Sequence, residues 1–386
     1  MNNPDTFLRP TWAEISLSKL KANLARVRRL AGSDRQVMAV VKADAYGHGA
    51  VPVARALEEA GVDWFGVATV EEALELRHKG IRRPILLLGG LYLSDPAHLV
   101  EYDLVPTVSS TARLDTYAEC AQRLGKPIGF HLKMDTGMGR LGMPPELWQA
   151  FLEHYRQLKG IVLKGVLTHL ASAEDPEGAQ TREQLLRFSK LLRALKSSRV
   201  KPEWVHVSNS AGLIAGLANE LELRENMVRI GALLYGFCPP FTSDPHRGPN
   251  PAADFEPLLE LKSRVVFLKD VPAGAPLGYG GTFRTRRPSR IATVPIGYAD
   301  GLSRRLSNRG RAIVRDHYAP IVGNISMDLT LLDLTDVPGA EVGDVAVFIG
   351  DSPHCALRAR EMADELETLP YEVLCSIGKR VPRVYL

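Results

Sequence analysis

Val37-Met38-Ala39-Val40-Val41-Lys42-Ala43-Asp44-Ala45-Tyr46-Gly47-His48-Gly49 is the stretch on which the fold turns. Its first five residues are a short, β-rich apolar run, the pattern of a strand buried on both faces. The run stops at a lysine instead of a turn residue. A solvated Lys at a strand end would need no explanation, but the Tyr-Gly-His-Gly that follows lets the backbone turn tightly and brings a phenol and an imidazole close by. A lysine at the mouth of an apolar strand can lose its proton by desolvation and form a Schiff base with a carbonyl compound.

Working outward, similar runs recur at 64–69, 85–90, 104–108, 128–134, 163–169, 204–208 and 227–231, mostly separated by amphipathic helices such as 51–60, 70–79, 112–124 and 182–196. Eight β-α units over this length predict a (β/α)8 TIM-type barrel, whose chemistry sits after the carboxyl ends of its strands. Unusual polar residues do cluster there: Lys42 after the first strand, Arg140 after the fifth, His169 after the sixth, Asn209 and Ser210 after the seventh, Arg229 at the eighth. Small residues in Asn209-Ser210-Ala211-Gly212 and Gly231-Ala232 suit the phosphate site that such barrels carry after strands seven and eight.

Between Phe237 and Pro257 the texture changes to Pro, Gly, Asp and Asn, a domain boundary. The expected division is residues 1–245, the barrel, and 246–386, a β-rich C-terminal domain. Strands are expected there at 261–268, 290–295, 312–314, 329–334 and 345–349, with one helix near 356–366. The alternating strand near Thr11 could join that second sheet.

The 386 residues carry 48 basic and 44 acidic side chains with no polybasic block, which speaks against nucleic acid or an acidic membrane surface as partner. The densest basic run, Arg284 to Arg290, reads as a solvated loop. Cys120, Cys238, Cys355 and Cys375 are scattered, which suggests reduced, mostly buried thiols, and no metal site is spelled. Met1 to Pro10 has no apolar core of a signal peptide, and no run approaches the roughly 20 apolar residues of a membrane span, so a cytoplasmic protein is expected.

Gly137-Met138-Gly139-Arg140-Leu141-Gly142 contains a literal G-x-G-x-x-G after a strand. Pro144-Pro145 delays the next helix, and the following strand ends in Thr-His with no acidic residue, so a dinucleotide site is disfavoured. Arg229, in the apolar Met227-Val228-Arg229-Ile230-Gly231, must meet a carboxylate or a ring acceptor, because Arg is almost never buried unpaired. His169 can tune a neighbouring acid–base group.

The Lys42 segment closely resembles the cofactor-lysine motif of alanine racemases, the fold-type III enzymes dependent on pyridoxal phosphate. So does the decapeptide Lys133-Met134-Asp135-Thr136-Gly137-Met138-Gly139-Arg140-Leu141-Gly142. Further matches are Gly278-Tyr279-Gly280-Gly281, Pro295-Ile296-Gly297-Tyr298-Ala299-Asp300-Gly301, Asn324-Ile325-Ser326-Met327-Asp328 and Pro370-Tyr371-Glu372-Val373-Leu374-Cys375 with Arg380-Val381-Pro382-Arg383, in family order over residues 37 to 383. The resemblance implies interconversion of L- and D-alanine through an external aldimine by two bases, Lys42 and Tyr279, supplying D-alanine for peptidoglycan. It implies that Arg140 donates to the cofactor's phenolic oxygen and Arg229 to its pyridine nitrogen. Tyr46, His169, Asn209, Ser210, Gly231 and Tyr371 complete the cofactor-binding set, Tyr371 at the phosphate.

The Met327 N–H would meet the substrate carboxylate, alongside Arg140, with Tyr298 at the entrance. Lys133 matches a lysine that is carbamylated in some relatives. The tyrosine at position 279 comes from the partner subunit in this family, which implies a head-to-tail homodimer with composite sites. As an unperturbed Tyr has a pKa of about 10, it needs cationic or imidazole neighbours, for which His169 and Arg229 are available. Phe283 stands where a second aromatic hydroxyl is often found. The rival readings are a racemase of broader range and a non-catalytic pyridoxal-phosphate carrier; a carrier has no need of Tyr279. A related decarboxylase would pair the ring nitrogen with an acid, and Arg229 disfavours it.

Overall fold

The computed structural model describes residues 8–220, 223–238, 240–242 and 251–386. Residues 1–7, within the segment read for a signal peptide, and 239 and 243–250, within the expected boundary, lie outside them. The chain divides into two compact units, one formed by Lys19–Ala45 with Ala50–Pro257, the other by the described residues up to Ser18 with Tyr46–Gly49 and Leu258–Leu386.

The first unit is the barrel. Its strands are β1 (Gln36–Val40), β2 (Trp64–Val67), β3 (Ile85–Leu87), β4 (Leu104–Val108), β5 (Ile128–Lys133), β6 (Ile161–Leu167), β7 (Trp204–His206) and β8 (Met227–Ile230). They pair in parallel in the order β7-β6-β5-β4-β3-β2-β1-β8. Between β8 and β7 the ring closes through Asn226 N–H to the Val205 carbonyl, 3.1 Å, and Arg229 N–H to the Ser208 carbonyl, 3.0 Å. Val37, Met38 and Ala39 are wholly buried, as a strand covered on both faces requires. The expected barrel class is therefore correct, with strands ending one to three residues earlier than the apolar runs in several cases. The run at 64–69, for example, ends at Val67 because Thr69 caps the helix Val70–His78 in a capping box with Glu72.

Glu72 also reaches the segment after β1. Its Oε1 accepts the Ala43 N–H at 2.7 Å, while Oε2 accepts those of Ala68 and Thr69 at 2.7 and 3.3 Å. The segment it ties down, Lys42–Gly47, is a single helical turn of left-handed sense, with φ of 51°, 53°, 53° and 56° at Ala43, Asp44, Ala45 and Tyr46. L-residues lose about 1–2 kcal/mol each in that conformation and rarely adopt it in succession. The tight turn thus begins at Ala43, before the glycines that announced it.

In the second unit the strands Thr11–Ile15, Leu259–Arg264, Val345–Asp351, Arg311–Val314, His317–Pro320 and Arg383–Tyr385 form the main sheet. Thr11–Ile15 runs antiparallel to Leu259–Arg264 and parallel to Arg383–Tyr385. The single strand expected at 261–268 is instead two, Leu259–Arg264 and Phe267–Val271, which belong to different sheets. The chain changes sheets at consecutive amides: Val265 N–H goes to the Asp344 carbonyl and Val266 N–H to that of Thr293. The helix expected near 356–366 begins only at Ala359, because Ala356–Leu357 pairs with Val345–Asp351, and a second helix, Pro370–Ser376, follows it.

Phe283 packs on the cluster of Leu277, Ile291 and Val322, which gives the phenyl ring an apolar role. Arg284, Arg286 and Arg287 are exposed, and Arg287 pairs with Asp336. The cysteines are thiols rather than disulfides, as expected, but only Cys120 is buried and Cys375 is exposed, so they are less buried than their spacing suggested. Among the described residues no helix is long and apolar enough to cross a membrane.

Candidate active site

Strand register gathers the barrel's polar residues at the carboxyl ends. Lys133 is the last residue of β5, Lys42 and His169 lie two residues beyond β1 and β6, and Arg229 is in β8. Lys42, Arg140 and Arg229 act on Lys133, and all four act on His169. Burial, with the charges of Arg229, Arg140 and Lys42, pushes the Lys133 ammonium down to about 8. Burial and the same cations push His169 down to about 3, so its imidazole is neutral at working pH. It can accept from or orient a neighbour, but it adds no positive charge.

Arg229 is buried, and its direct partners are not carboxylates. Nη1 donates to the His206 carbonyl at 2.8 Å and faces His206 Nδ1 at 3.2 Å; Nη2 donates to the carbonyls of Thr168 and Val207 at 2.7 and 2.9 Å and lies 3.5 Å from His169 Nδ1. Since guanidinium nitrogens only donate, His206 Nδ1 is an acceptor and its proton is on Nε2. That Nε2 is 2.9 Å from His131 Nδ1, which must then accept, leaving the His131 proton on Nε2, buried and without a hydrogen-bond partner. Burial and Arg229 push His131 down to about 3 and His206 well below its ordinary value.

These three buried imidazoles give a pH dependence with a definite sign. The folded chain keeps them neutral while the unfolded chain binds their protons near pH 6.5. Their contribution to stability is therefore full above 6.5 and is lost as pH falls from there toward 3. Near pH 5 the slope is up to about 4 kcal/mol per pH unit for three protons, reduced by Glu225, whose folded value is raised by burial and acts in the opposite sense. Urea midpoints of the cofactor-free protein should fall steeply between pH 6.5 and 4.5; a flat profile there would contradict the neutral assignment.

The glycine-rich loop is organised by Asp135, not by a bound phosphate. Its Oδ1 accepts the N–H groups of Gly137, Met138 and Gly139 at 3.0, 2.9 and 3.0 Å. Burial alone would raise this carboxyl, but those three bonds hold it below its ordinary range. A Cβ on Gly142 would lie 2.5 Å from Asp135 N, so the last glycine is set by close packing. Pro145–Leu147 and then Trp148–Gln157 follow, so the loop does not open directly into a long helix. Arg140 is exposed at its tip. After β7, Asn209 caps the short turn Ser210–Ile214 by accepting the Gly212 N–H at 2.9 Å.

In the second unit three loops interlock. Asn324 Nδ2 donates to the Tyr279 carbonyl at 2.8 Å, and the N–H groups of Tyr298 and Ala299 donate to the carbonyls of Ser326 and Met327 at 3.0 and 3.1 Å. Asp300, wholly buried beneath them, is held by Arg9 at 2.5 Å and Arg380 at 2.8 Å. Tyr279, Tyr298 and Met327 are thus presented together, all exposed, Tyr279 to 74%. Gly278 and Gly280, at φ 69° and 72°, flank Tyr279 in conformations that suit glycine. Also in this unit, the Tyr46 and Tyr371 rings lie 5.6 Å apart, and Arg383 binds the Gly47 carbonyl through Nε and Nη2 at 3.1 and 3.0 Å.

Residues 15–239 match the family profile described as alanine racemase, N-terminal domain, and residues 258–385 that of alanine racemase, C-terminal domain. The chain belongs to the alanine racemase family. Alanine racemase 2 of Caldanaerobacter subterraneus subsp. tengcongensis is 43% identical over 380 residues, 98% of this chain and 95% of that one. Among solved structures, alanine racemase of Clostridium difficile 630 matches with a TM-score of 0.89 and 36% identity, covering 99% of this chain and 97% of that chain. The enzyme of Bartonella henselae, with covalently bound pyridoxal phosphate, matches with a TM-score of 0.84 and 32% identity, over 98% and 99%.

Within this alanine racemase fold, sequence reasoning missed His131, His206 and Glu225. The histidines lie in apolar β runs, where the pattern does not separate an interior imidazole from a strand-end one. Glu225 sits in a polar stretch before β8 and reads as solvated, yet it is buried.

Proposed function

We propose that this protein interconverts L- and D-alanine with pyridoxal phosphate as cofactor, as a head-to-tail homodimer in a bacterial cytoplasm, providing D-alanine for peptidoglycan. The observation that carries the reading is Arg229, a guanidinium buried beneath the strand-end cluster that contains Lys42. The donor set fits the cofactor: Lys42, Arg140 and Arg229, three cations that together with burial depress Lys133, suit an anion that carries a phosphate and a phenolic oxygen.

In this reading Lys42 holds the cofactor covalently, Arg229 donates to its ring nitrogen, and Arg140 donates to its phenolic oxygen. Asn209, Ser210 and Gly231, with Tyr46 and Tyr371, hold the phosphate end. Bound there, pyridoxal phosphate withdraws electrons from the substrate α-carbon and acidifies its proton. Arg229 remains charged at working pH, since burial lowers it only to about 10. A permanent donor at the ring nitrogen leaves that nitrogen largely unprotonated, which limits side reactions.

Lys42 then takes or returns the α-proton on the face of the D-enantiomer and Tyr279 of the partner subunit does so on that of the L-enantiomer, as inversion requires. Arg140 and the Met327 N–H orient the substrate carboxylate, and Tyr298 narrows the entrance. The joint exposure of Tyr279, Tyr298 and Met327 supports a second chain as the cover of that loop cluster. With its amine near 8, Lys133 has an uncharged fraction able to add carbon dioxide, and the carbamate would be an anion to hold Arg140. Mass spectrometry that finds only the bare lysine removes that part.

Proton NMR of L-alanine and D-alanine in D2O, each with protein and pyridoxal phosphate, tests the reading. Both should lose the α-proton signal and converge on a racemic mixture. Cofactor uptake without exchange of either enantiomer would overturn it.

A further inference from the structure

The barrel contains a buried carboxylate to which the chemistry above gives no role. Glu225 lies just before β8, and its partners are the two amides that follow β7. Its Oε1 accepts the N–H groups of Val207 and Ser208, both at 2.6 Å, and its Oε2 accepts the Ser208 hydroxyl at 2.7 Å. β7 ends at His206, so these amides lie beyond its ladder; left unmet in the interior, each would cost about 1–3 kcal/mol.

The same two peptide units carry Arg229 on their other side. The carbonyl of His206, in the peptide whose N–H belongs to Val207, accepts Arg229 Nη1 at 2.8 Å. The carbonyl of Val207, in the peptide whose N–H belongs to Ser208, accepts Nη2 at 2.9 Å. Two consecutive peptides therefore lie between a buried anion and a buried cation, each polarised from both ends, with no direct contact between the charges. Hydrogen bonds in such a chain strengthen one another. The Ser208 carbonyl closes the arrangement by accepting the Arg229 N–H at 3.0 Å.

We infer that Glu225 is a positioning residue for Arg229, fixing the guanidinium and the Ser208-Asn209-Ser210 turn through the peptides at 206–208. The inference rests on reading Arg229 as the donor to the cofactor's ring nitrogen. Reach matters more than charge in this device. Glu225→Gln keeps an oxygen that can accept both amides, and its NH2 can donate to the Ser208 hydroxyl, so the peptides stay in place. Glu225→Asp keeps the charge but is one carbon too short to span them. With the peptides displaced, Arg229 would lose its seat and the ring nitrogen could take a proton from solvent; the bound cofactor would then favour transamination, in which the α-proton passes to the cofactor, the amino group stays on it and water releases the carbon skeleton as pyruvate.

Two readouts test this. Absorbance titration of the cofactor-free proteins with pyridoxal phosphate gives affinity, and the ratio of pyruvate formed to alanine racemised gives partition, which does not depend on the folded fraction. Glu225→Asp should weaken affinity and raise the partition ratio, each by roughly tenfold, the scale of a small misplacement at a reacting centre. Glu225→Gln should stay close to wild type in both. An Asp variant indistinguishable from wild type, or a Gln variant displaced as far as Asp, would overturn the inference while leaving the functional reading intact. Wild-type protein that takes up no pyridoxal phosphate would overturn that reading as well.

Discussion

Lys42→Ala is expected to abolish racemisation, with a loss on the order of 10⁴-fold or more, because the proposed mechanism makes one side chain both the covalent anchor and one of the two bases. The prediction is sharper than it first looks, since the barrel end holds a second lysine. Lys133 has its ammonium pushed down to about 8, by burial and three neighbouring cations, so acidity alone would admit it as the nucleophile. Position argues the other way. Lys42 begins the left-handed turn of Ala43 to Tyr46, a conformation that costs several residues their preferred backbone and is held by Glu72 and by Asp44, whose Oδ1 accepts the Ala50 N–H at 2.7 Å. Strain retained in this way is a mark of sites where a side chain must be aimed. Borohydride reduction of the loaded wild-type protein should fix the cofactor on the peptide containing Lys42, and the alanine variant should release it on gel filtration. Cofactor fixed on Lys133 in either protein would reverse the assignment.

The contrast between those lysines indicates what a sequence can and cannot disclose. The barrel was legible because eight buried strands each require an apolar run, and the alternation with helices survives any shift of a strand end by a residue or two. Residues at strand tips were legible for a related reason: Lys42, His169 and Arg229 interrupt apolar runs, and an interruption is visible. What supports them was not. Glu225 is buried only because the chain brings it under the amides of Val207 and Ser208, a relation between residues 17 and 18 positions apart. His131 and His206 meet across 75 positions. In the second unit the change of sheet at Val265 and Val266 lies within a strand-like stretch, 261–268, that no turn residue interrupts, and only the partners of two adjacent amides distinguish it from a single strand. The left-handed turn was hidden because Ala and Tyr do not ordinarily announce positive φ, and a lone Asp announces a single such residue rather than four in succession.

Tyr279→Phe is the second large effect, and it should divide the reaction into its two faces. Loss of one of two general bases removes roughly 10³-fold or more of the racemisation rate. The half that belongs to Lys42 should persist, so D-alanine in D2O continues to exchange its α-proton and keeps its configuration, while L-alanine does not exchange. Comparable exchange from both enantiomers would remove Tyr279 from the mechanism. The chain itself suggests where that phenol acts, for at 74% exposure it stands open to a covering surface. In the proposed dimer a second subunit desolvates it and supplies cations, and the site is composite. Mixing the Lys42→Ala and Tyr279→Phe proteins tests this directly. In a head-to-tail dimer each mixed pair has one site with both wild-type residues and one with neither, so random exchange of subunits should restore about a quarter of wild-type activity from two inactive proteins. If lysine and tyrosine acted within one chain, every site in the mixture would lack one of them, and no activity would return.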